Sequence, residues 1–369
     1  MQMGNTAGAT ELAGRLHTLA CTNRSHLFEF MALLLDAQRA LDEHREAQAL
    51  DSLAQAMAIG RKQRLLNTYC WLPRVMTRLC AKALEAGIES DYVRTLIRHR
   101  ALPPSDDARD LEVWPWPVKI YTLGRLSIFN NEEALAFKDK VRGRPLELLQ
   151  VLIALGGRGV DEESLSEILW PNAEGDAAHR TFDTTLHRLR RLLGSEHALL
   201  LSDGKLSLNP ALCWVDAWAF ERQLGRLDEL IKPPVSTEIE STQAIARLAT
   251  RVSALYRGSF LAGETDAAWA VAPRERLLSK LLCQLGALGR YWESAGEWGH
   301  AAETYQKAID VSNLNEEYYQ RLMLVYRTLG HHSEALSVYQ RCRETLLAAL
   351  GRPPSPSIEA LRRELETVR

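Results

Sequence analysis

Apolar positions recur with a period near 3.6 along most of the chain and near two in one short zone. HLFEFMALLLDAQRALD, EAQALDSLAQAMAIG and WLPRVMTRLCAKALEAG each place their apolar residues on one stripe and predict amphipathic helices. Gly60 and Gly87 stand where helix C-caps are expected, and Ser90 stands as an N-cap for SDYVRTLIRHR. Residues 1–100 therefore read as an N-terminal helical-repeat segment. Residues 101–117, ALPPSDDARDLEVWPWP, carry four prolines and favour an extended linker. Trp114 and Trp116 are expected to bury their rings rather than leave the linker floating. The period then changes. VKIYTLGRLSIF alternates and is rich in β-branched and aromatic residues, which predicts strands, with a turn at Asn130-Asn131 and extended structure resuming in EEALAF. RPLELLQVLIALGG and DEESLSEILW predict two helices, the second with Asp161 as N-cap and Pro171 as its stop.

The third helix of this zone is HRTFDTTLHRLRRLL. Phe182, Leu186, Leu189 and Leu193 form its apolar stripe. At about 100° per residue, the opposite side carries Arg180, Thr184, His187, Arg188 and Arg191, with Thr181 alongside. Taken alone, this face also suits a solvated surface helix. The neighbours change the picture, because HALLLSDGKLSLNP follows as a hairpin around Ser-Asp-Gly. Strands, three helices and a hairpin are the order of a winged helix, placed at residues 118–214. From Val215 to residue 369 the pattern is helical, broken by a loop in KPPVSTEIES. Trp292 and Tyr326, Gly296 and Gly330, Ala301 and Ala335, and Tyr305 and Tyr339 are each 34 residues apart. That is the tetratricopeptide period; the glycines are expected to permit close helix approach. The fold class is mainly α with a small β component: a winged helix-turn-helix between an N-terminal helical-repeat segment and a C-terminal tetratricopeptide-like α-domain.

A net charge of −2 gives no global sign of a nucleic-acid partner, so any such binding must be local. Over residues 118–222, thirteen Lys and Arg face fifteen Asp and Glu, so this zone is polarised rather than basic. In a helix-turn-helix the second helix of the pair enters the major groove and offers donors to phosphates and base edges. That assigns helix 177–193 to the groove, with Arg180, Thr181, Thr184, His187, Arg188 and Arg191 as contacts. Arg142 and Arg144 would grip phosphate at the start of the first helix, and Lys205 would touch the backbone from the hairpin. The six cysteines show no zinc spacing and read as small core residues of a reducing, cytoplasmic compartment. No stretch is apolar enough to span a bilayer, and no secretory leader is evident. His331-His332 lacks a third ligand, so no metal and no cofactor is expected. No hydrolase, zinc-protease or kinase motif occurs, and an enzyme is not expected. The rival reading is a protein-binding helical-repeat scaffold whose winged helix does not bind DNA.

LGRLSIF, RPLELLQVLIAL, DEESLSEILWPN and LHRLRRLLG resemble the OmpR-like winged helix of SARP-type activators. VDAWAFERQL, LYRGSFLAGE and the repeat tail resemble the bacterial transcriptional activator domain that follows it in that family. The resemblance runs over about residues 118–365. It implies a unit that binds double-stranded promoter DNA, as a homodimer or on repeated sites, and recruits RNA polymerase through its sigma or alpha subunit. It also implies polymerase contact by the loop from Pro171 to Ala178, with Asn172, Glu174 and Asp176 among its residues. Residues 27–117 resemble the helical region before the DNA-binding part of MalT-like large activators, and would take an effector or protein partner. The P-loop of those activators does not occur in this sequence.

Overall fold

The computed structural model describes residues 6–67, 72–106, 108–135, 143–172, 175–232, 239–264 and 267–367. They fall into two compact units. The first comprises Met1–Thr122 and Leu126–Ala219; the second comprises Leu123–Arg125 and Phe220–Arg369.

The first unit begins with five helices: α1 (Thr6–Asn23), α2 (His26–Asp42), α3 (Glu46–Gln63), α4 (Pro73–Glu85) and α5 (Ser90–His99). Buried Ala37, Ala40, Ala49 and Ala56 supply small side chains where α2 and α3 pack. Two expected caps are corrected. Gly60 lies inside α3, which runs on to Gln63 and ends on Arg64 in the left-handed region. A Cβ on Gly60 would overlap the Tyr92 ring of α5, so the glycine serves packing. Glu89, not Ser90, is the N-cap of α5. Gly87 does take a positive φ of 69° just after α4.

The linker makes one short 3-10 turn at Ala108–Asp110. Both linker tryptophans are 2% exposed, and the Trp116 indole N–H donates to the Leu111 carbonyl at 2.8 Å. Next come β1 (Val118–Tyr121), β2 (Ser127–Asn130), β3 (Glu133–Ala134), α6 (Arg144–Ala154), β4 (Val160–Asp161), α7 (Glu162–Leu169), α8 (Gly175–Leu192), β5 (Leu199–Ser202), β6 (Lys205–Leu208) and β7 (Cys213–Val215). Two small sheets result, ordered β3-β2-β1-β7 and β4-β6-β5. Strands β4 and β7 escape the sequence pattern; β7 runs parallel to β1 and closes the first sheet. Asp161 holds the N-cap position of α7 but makes no side-chain cap bond. Three helices with a β-hairpin wing pack around Leu148, Leu149, Leu152, Leu165, Leu169 and the full Phe182–Leu186–Leu189–Leu193 stripe, all buried. This is a winged helix. Asp216, 1% exposed, starts α9 (Asp216–Ile231) and accepts from the Thr122 N–H, the Thr122 hydroxyl and the Ala217 N–H, each at 2.7 Å.

The second unit contains most of α9, then α10 (Ile239–Leu255), α11 (Ala268–Ser294), α12 (Trp298–Val311), α13 (Glu316–Thr328), α14 (His332–Leu350) and α15 (Pro356–Thr367). The loop before α11 is held by Arg274, whose guanidinium donates to the carbonyls of Phe260, Leu261 and Glu264 at 3.0, 3.2 and 3.1 Å. Helix pairs α11–α12 and α13–α14 carry the 34-residue repeat. Ala301 and Ala335 are both fully buried. Gly296 and Gly330 sit at equivalent turns with φ of 74° and 75°. Nothing lies within 4 Å of a Cβ built on either, so the expected close-approach role is corrected: they supply a backbone conformation. Close approach falls to Gly289, where a Cβ would overlap the Tyr305 ring of α12. Cysteine placement is corrected in part. Cys80, Cys213 and Cys342 are buried, and burial pushes their thiols up to about 12, but Cys21 and Cys283 are exposed. Among the described residues, no helix is long and apolar enough to cross a membrane.

Candidate nucleic-acid interface

Helix α8 is held at three places. Its apolar stripe is buried in the winged-helix core. Arg190, half-buried on its flank, donates to the Leu199 carbonyl of β5 at 3.0 Å and ties the helix to the wing. At its C-terminal end, the Asn130 side-chain amide of β2 donates to the Leu193 carbonyl at 3.2 Å. Gly194 ends the helix with φ 67°, and a Cβ there would overlap the Asn130 amide nitrogen. One of the four arginines is thus structural, and the others remain on the outer face.

That face borders an open groove of about 670 Å³, lined by Gly143, Arg144, Pro145, Arg180, Thr181, Thr184, Thr185, Arg188 and Leu192. Three of these are cations and none is a carboxylate. The α6 N-terminus opens into it: Gly143 is the N-cap, with no side-chain cap bond. The partial positive charge of a helix start adds to the arginines, an arrangement suited to a phosphate oxygen. Arg144 keeps one carboxylate partner, Glu147, at 2.7 Å. The Thr181 and Thr184 hydroxyls donate back to the Ala177 and Arg180 carbonyls at 2.8 and 2.9 Å. They therefore present acceptor lone pairs and methyl groups outward, rather than the free donors expected.

The remaining sequence candidates scatter. His187 and Arg191 are exposed on α8 but do not line the groove. Lys205 lies 4.0 Å from Asp161 and stands apart from the groove. Arg142 and Glu174 lie outside the described residues, as does the Asp176 side chain. Pro171 and Asn172 form an exposed turn after α7.

Pro171 also borders a second open groove, of about 870 Å³, which sequence reasoning missed. Asp161, Glu162, Glu163, Glu167 and Asp203 line it together with half-buried Trp170. His179 closes one side, its Nδ1 on Glu162 and its Nε2 3.7 Å from Asp183. The acidic run at 161–163 was visible as a helix start. Its meeting with Asp203 depends on the hairpin folding back, which local patterning does not reveal. Among the described residues, no group of three or more His, Cys, Asp or Glu is arranged to hold a metal ion.

The described residues thus combine a winged helix that carries a cationic outer helix with tetratricopeptide-like helix pairs. Residues 215–366 match the family model described as the bacterial transcriptional activator domain, so the similarity lies in the C-terminal part of the chain. Solved structures are more distant. EmbR of Mycobacterium tuberculosis, in complex with a low-affinity phosphopeptide, is 18% identical, with a TM-score of 0.49; the match covers 69% of this chain and 66%, just under two thirds, of that one. The tetratricopeptide domain of P58(IPK) is 12% identical over 98% of this chain and 93% of that one, with a TM-score of 0.22. A comparison with curated proteins finds no match.

Proposed function

We propose that the protein is a cytoplasmic, non-enzymatic transcription activator that binds double-stranded promoter DNA through α8 and recruits RNA polymerase. The observation that carries this reading is the groove in which Arg144, Arg180 and Arg188 meet the uncapped start of α6 without a lining carboxylate. A duplex lying along α8 brings a phosphate to that groove and base edges to the exposed face. Arg188 and Arg191 then act as forks for guanine or phosphate, and His187 as a further donor. The acidic groove beside Pro171 supports the second half of the reading, since it offers carboxylates and a tryptophan face to a basic helix of the polymerase. Effector or partner binding belongs to the helical segments on this reading, and a dimer on repeated sites matches the family.

The test is gel-shift titration of genomic fragments with wild-type protein, Arg188→Ala and Arg191→Ala. A base contact costs about 1–3 kcal/mol and relaxes specificity at one position; a phosphate contact weakens all sequences alike and shallows the salt dependence. Unchanged affinity in both variants, with intact circular dichroism, removes α8 from the recognition role. A wild-type protein that shifts no fragment favours the scaffold reading.

A further inference from the structure

Strands β2 and β3 are joined by a tight turn. Asn131 and Glu132 alone connect the two strands, with φ of 47° and 73°. Two consecutive positive φ values make the primed hairpin turn that normally takes Asn-Gly. Glutamate occupies the position that favours glycine, so its side chain is there for another reason. Its carboxylate pairs with Arg98 of α5 at 2.9 Å. It also faces Lys119 of β1, whose half-buried ammonium is pushed down by burial and pulled back up by Glu132 and Glu112. On the other side of the turn, the Asn131 side chain donates to the Asn130 carbonyl oxygen Oδ1 at 3.0 Å, and the Asn130 amide donates to Leu193 at the end of α8. Two residues thus separate a contact to the N-terminal helices from a contact to the cationic helix.

We propose that the Asn131–Glu132 turn is a positioning device: α5, holding Glu132 through Arg98, sets the seat of the C-terminal end of α8 and so tunes its grip on DNA. The tuning part rests on the DNA reading above; the seating part does not. Helix α8 is fixed laterally by its buried stripe, but its terminal carbonyl depends on Asn130, and Gly194 leaves that amide room to approach. A ligand or partner that moves α5 would act on α8 through this turn, provided that it prefers one arrangement over the other.

Three variants of the full chain test it: Arg98→Ala, Glu132→Gly and the exchanged pair Arg98→Glu with Glu132→Arg. Glycine keeps the turn at no backbone cost, so Glu132→Gly separates coupling from mere stability. Hydrogen exchange is read at the Leu193 and Gly194 amides, which bond to the Leu189 and Arg191 carbonyls. Affinity is read on a duplex enriched from random sequence by the wild-type protein. Both single variants are expected to speed exchange at the two amides and weaken duplex binding about 2- to 5-fold, the range of an exposed ion pair, with unchanged melting and salt slope. The exchanged pair should restore both. Wild-type exchange in both single variants, or no recovery in the exchanged pair, overturns the proposal. If the wild-type protein enriches no duplex, the DNA reading and the tuning fall together, while the exchange data still decide the seating.

Discussion

Asp216 shows how one side chain can organise a junction. Its buried carboxylate satisfies three donors from two distant stretches, at Thr122 and at the start of α9. Asp216→Ala strips an acceptor from all three and should cost about 2–3 kcal/mol in urea unfolding, whereas Thr122→Val removes only the hydroxyl bond and should cost about 1 kcal/mol. Equal effects would mean that the hydroxyl alone carries the junction. The glycines make a second comparison. Gly194→Ala faces both a left-handed backbone and the Asn130 amide, while Gly330→Ala faces the backbone cost alone. We expect about 1 kcal/mol for Gly330→Ala and clearly more for Gly194→Ala, measured by the same titration. At this scale the sequence shows which residues are cations on one face, because periodicity settles that. It does not show that Arg190 straps the wing or that Asn130 caps α8, since both partners lie far along the chain.

Among the elements, the helices and the hairpin strands are legible in the sequence, and β4 and β7 are not. The stripe Phe182–Leu186–Leu189–Leu193 has enough turns for a period to stand out, and all four residues are buried. Strands β4 and β7 hold two and three residues, too few to show alternation; they exist because β6 and β1 offer them unpaired backbone. The repeat was legible in register but not in mechanism. Equivalent turns at Gly296 and Gly330 follow from the 34-residue spacing, yet the glycine that lets two helices touch is Gly289, one helical turn and more before the first of them. Gly289→Val should therefore push α11 and α12 apart by overpacking against Tyr305, at a cost of about 1–3 kcal/mol or more. Gly296→Ala should stay near 1 kcal/mol. Thermal melts of the two variants check the order, and a Gly289→Val protein as stable as Gly296→Ala would contradict the packing. The cationic groove was half legible. Its α8 wall follows from the helix period, whereas its α6 wall needs the tertiary arrangement of two helix ends.

On the scale of the whole molecule, the N-terminal helices and the winged helix belong to one compact unit, although their patterns change abruptly at the linker. Beside the Arg98–Glu132 ion pair, the joint rests on linker contacts. The Thr77 hydroxyl of α4 donates to the Pro103 carbonyl at 3.2 Å, and Arg94 of α5 donates to the Val113 carbonyl at 3.4 Å. Trp114 and Trp116 bury nearly all of their surface between these anchors and β1 along the chain. Large apolar rings in a proline-rich stretch made this burial readable beforehand, since no linker that floats free retains two indoles. That Leu123–Arg125 belongs instead to the second unit was not readable, because three residues between two strands carry no signal of their destination. The consequence is testable by calorimetry. Trp114→Ser with Trp116→Ser should remove roughly 3–5 kcal/mol of packing at each position and free the joint. The N-terminal helices and the winged helix should then melt in separate transitions, and protease should cut within 101–117. The transition of the C-terminal unit should not move, since both rings lie in the other unit. A double variant that melts as the wild type and resists cleavage would show that α4 and α5 hold the winged helix without the linker rings.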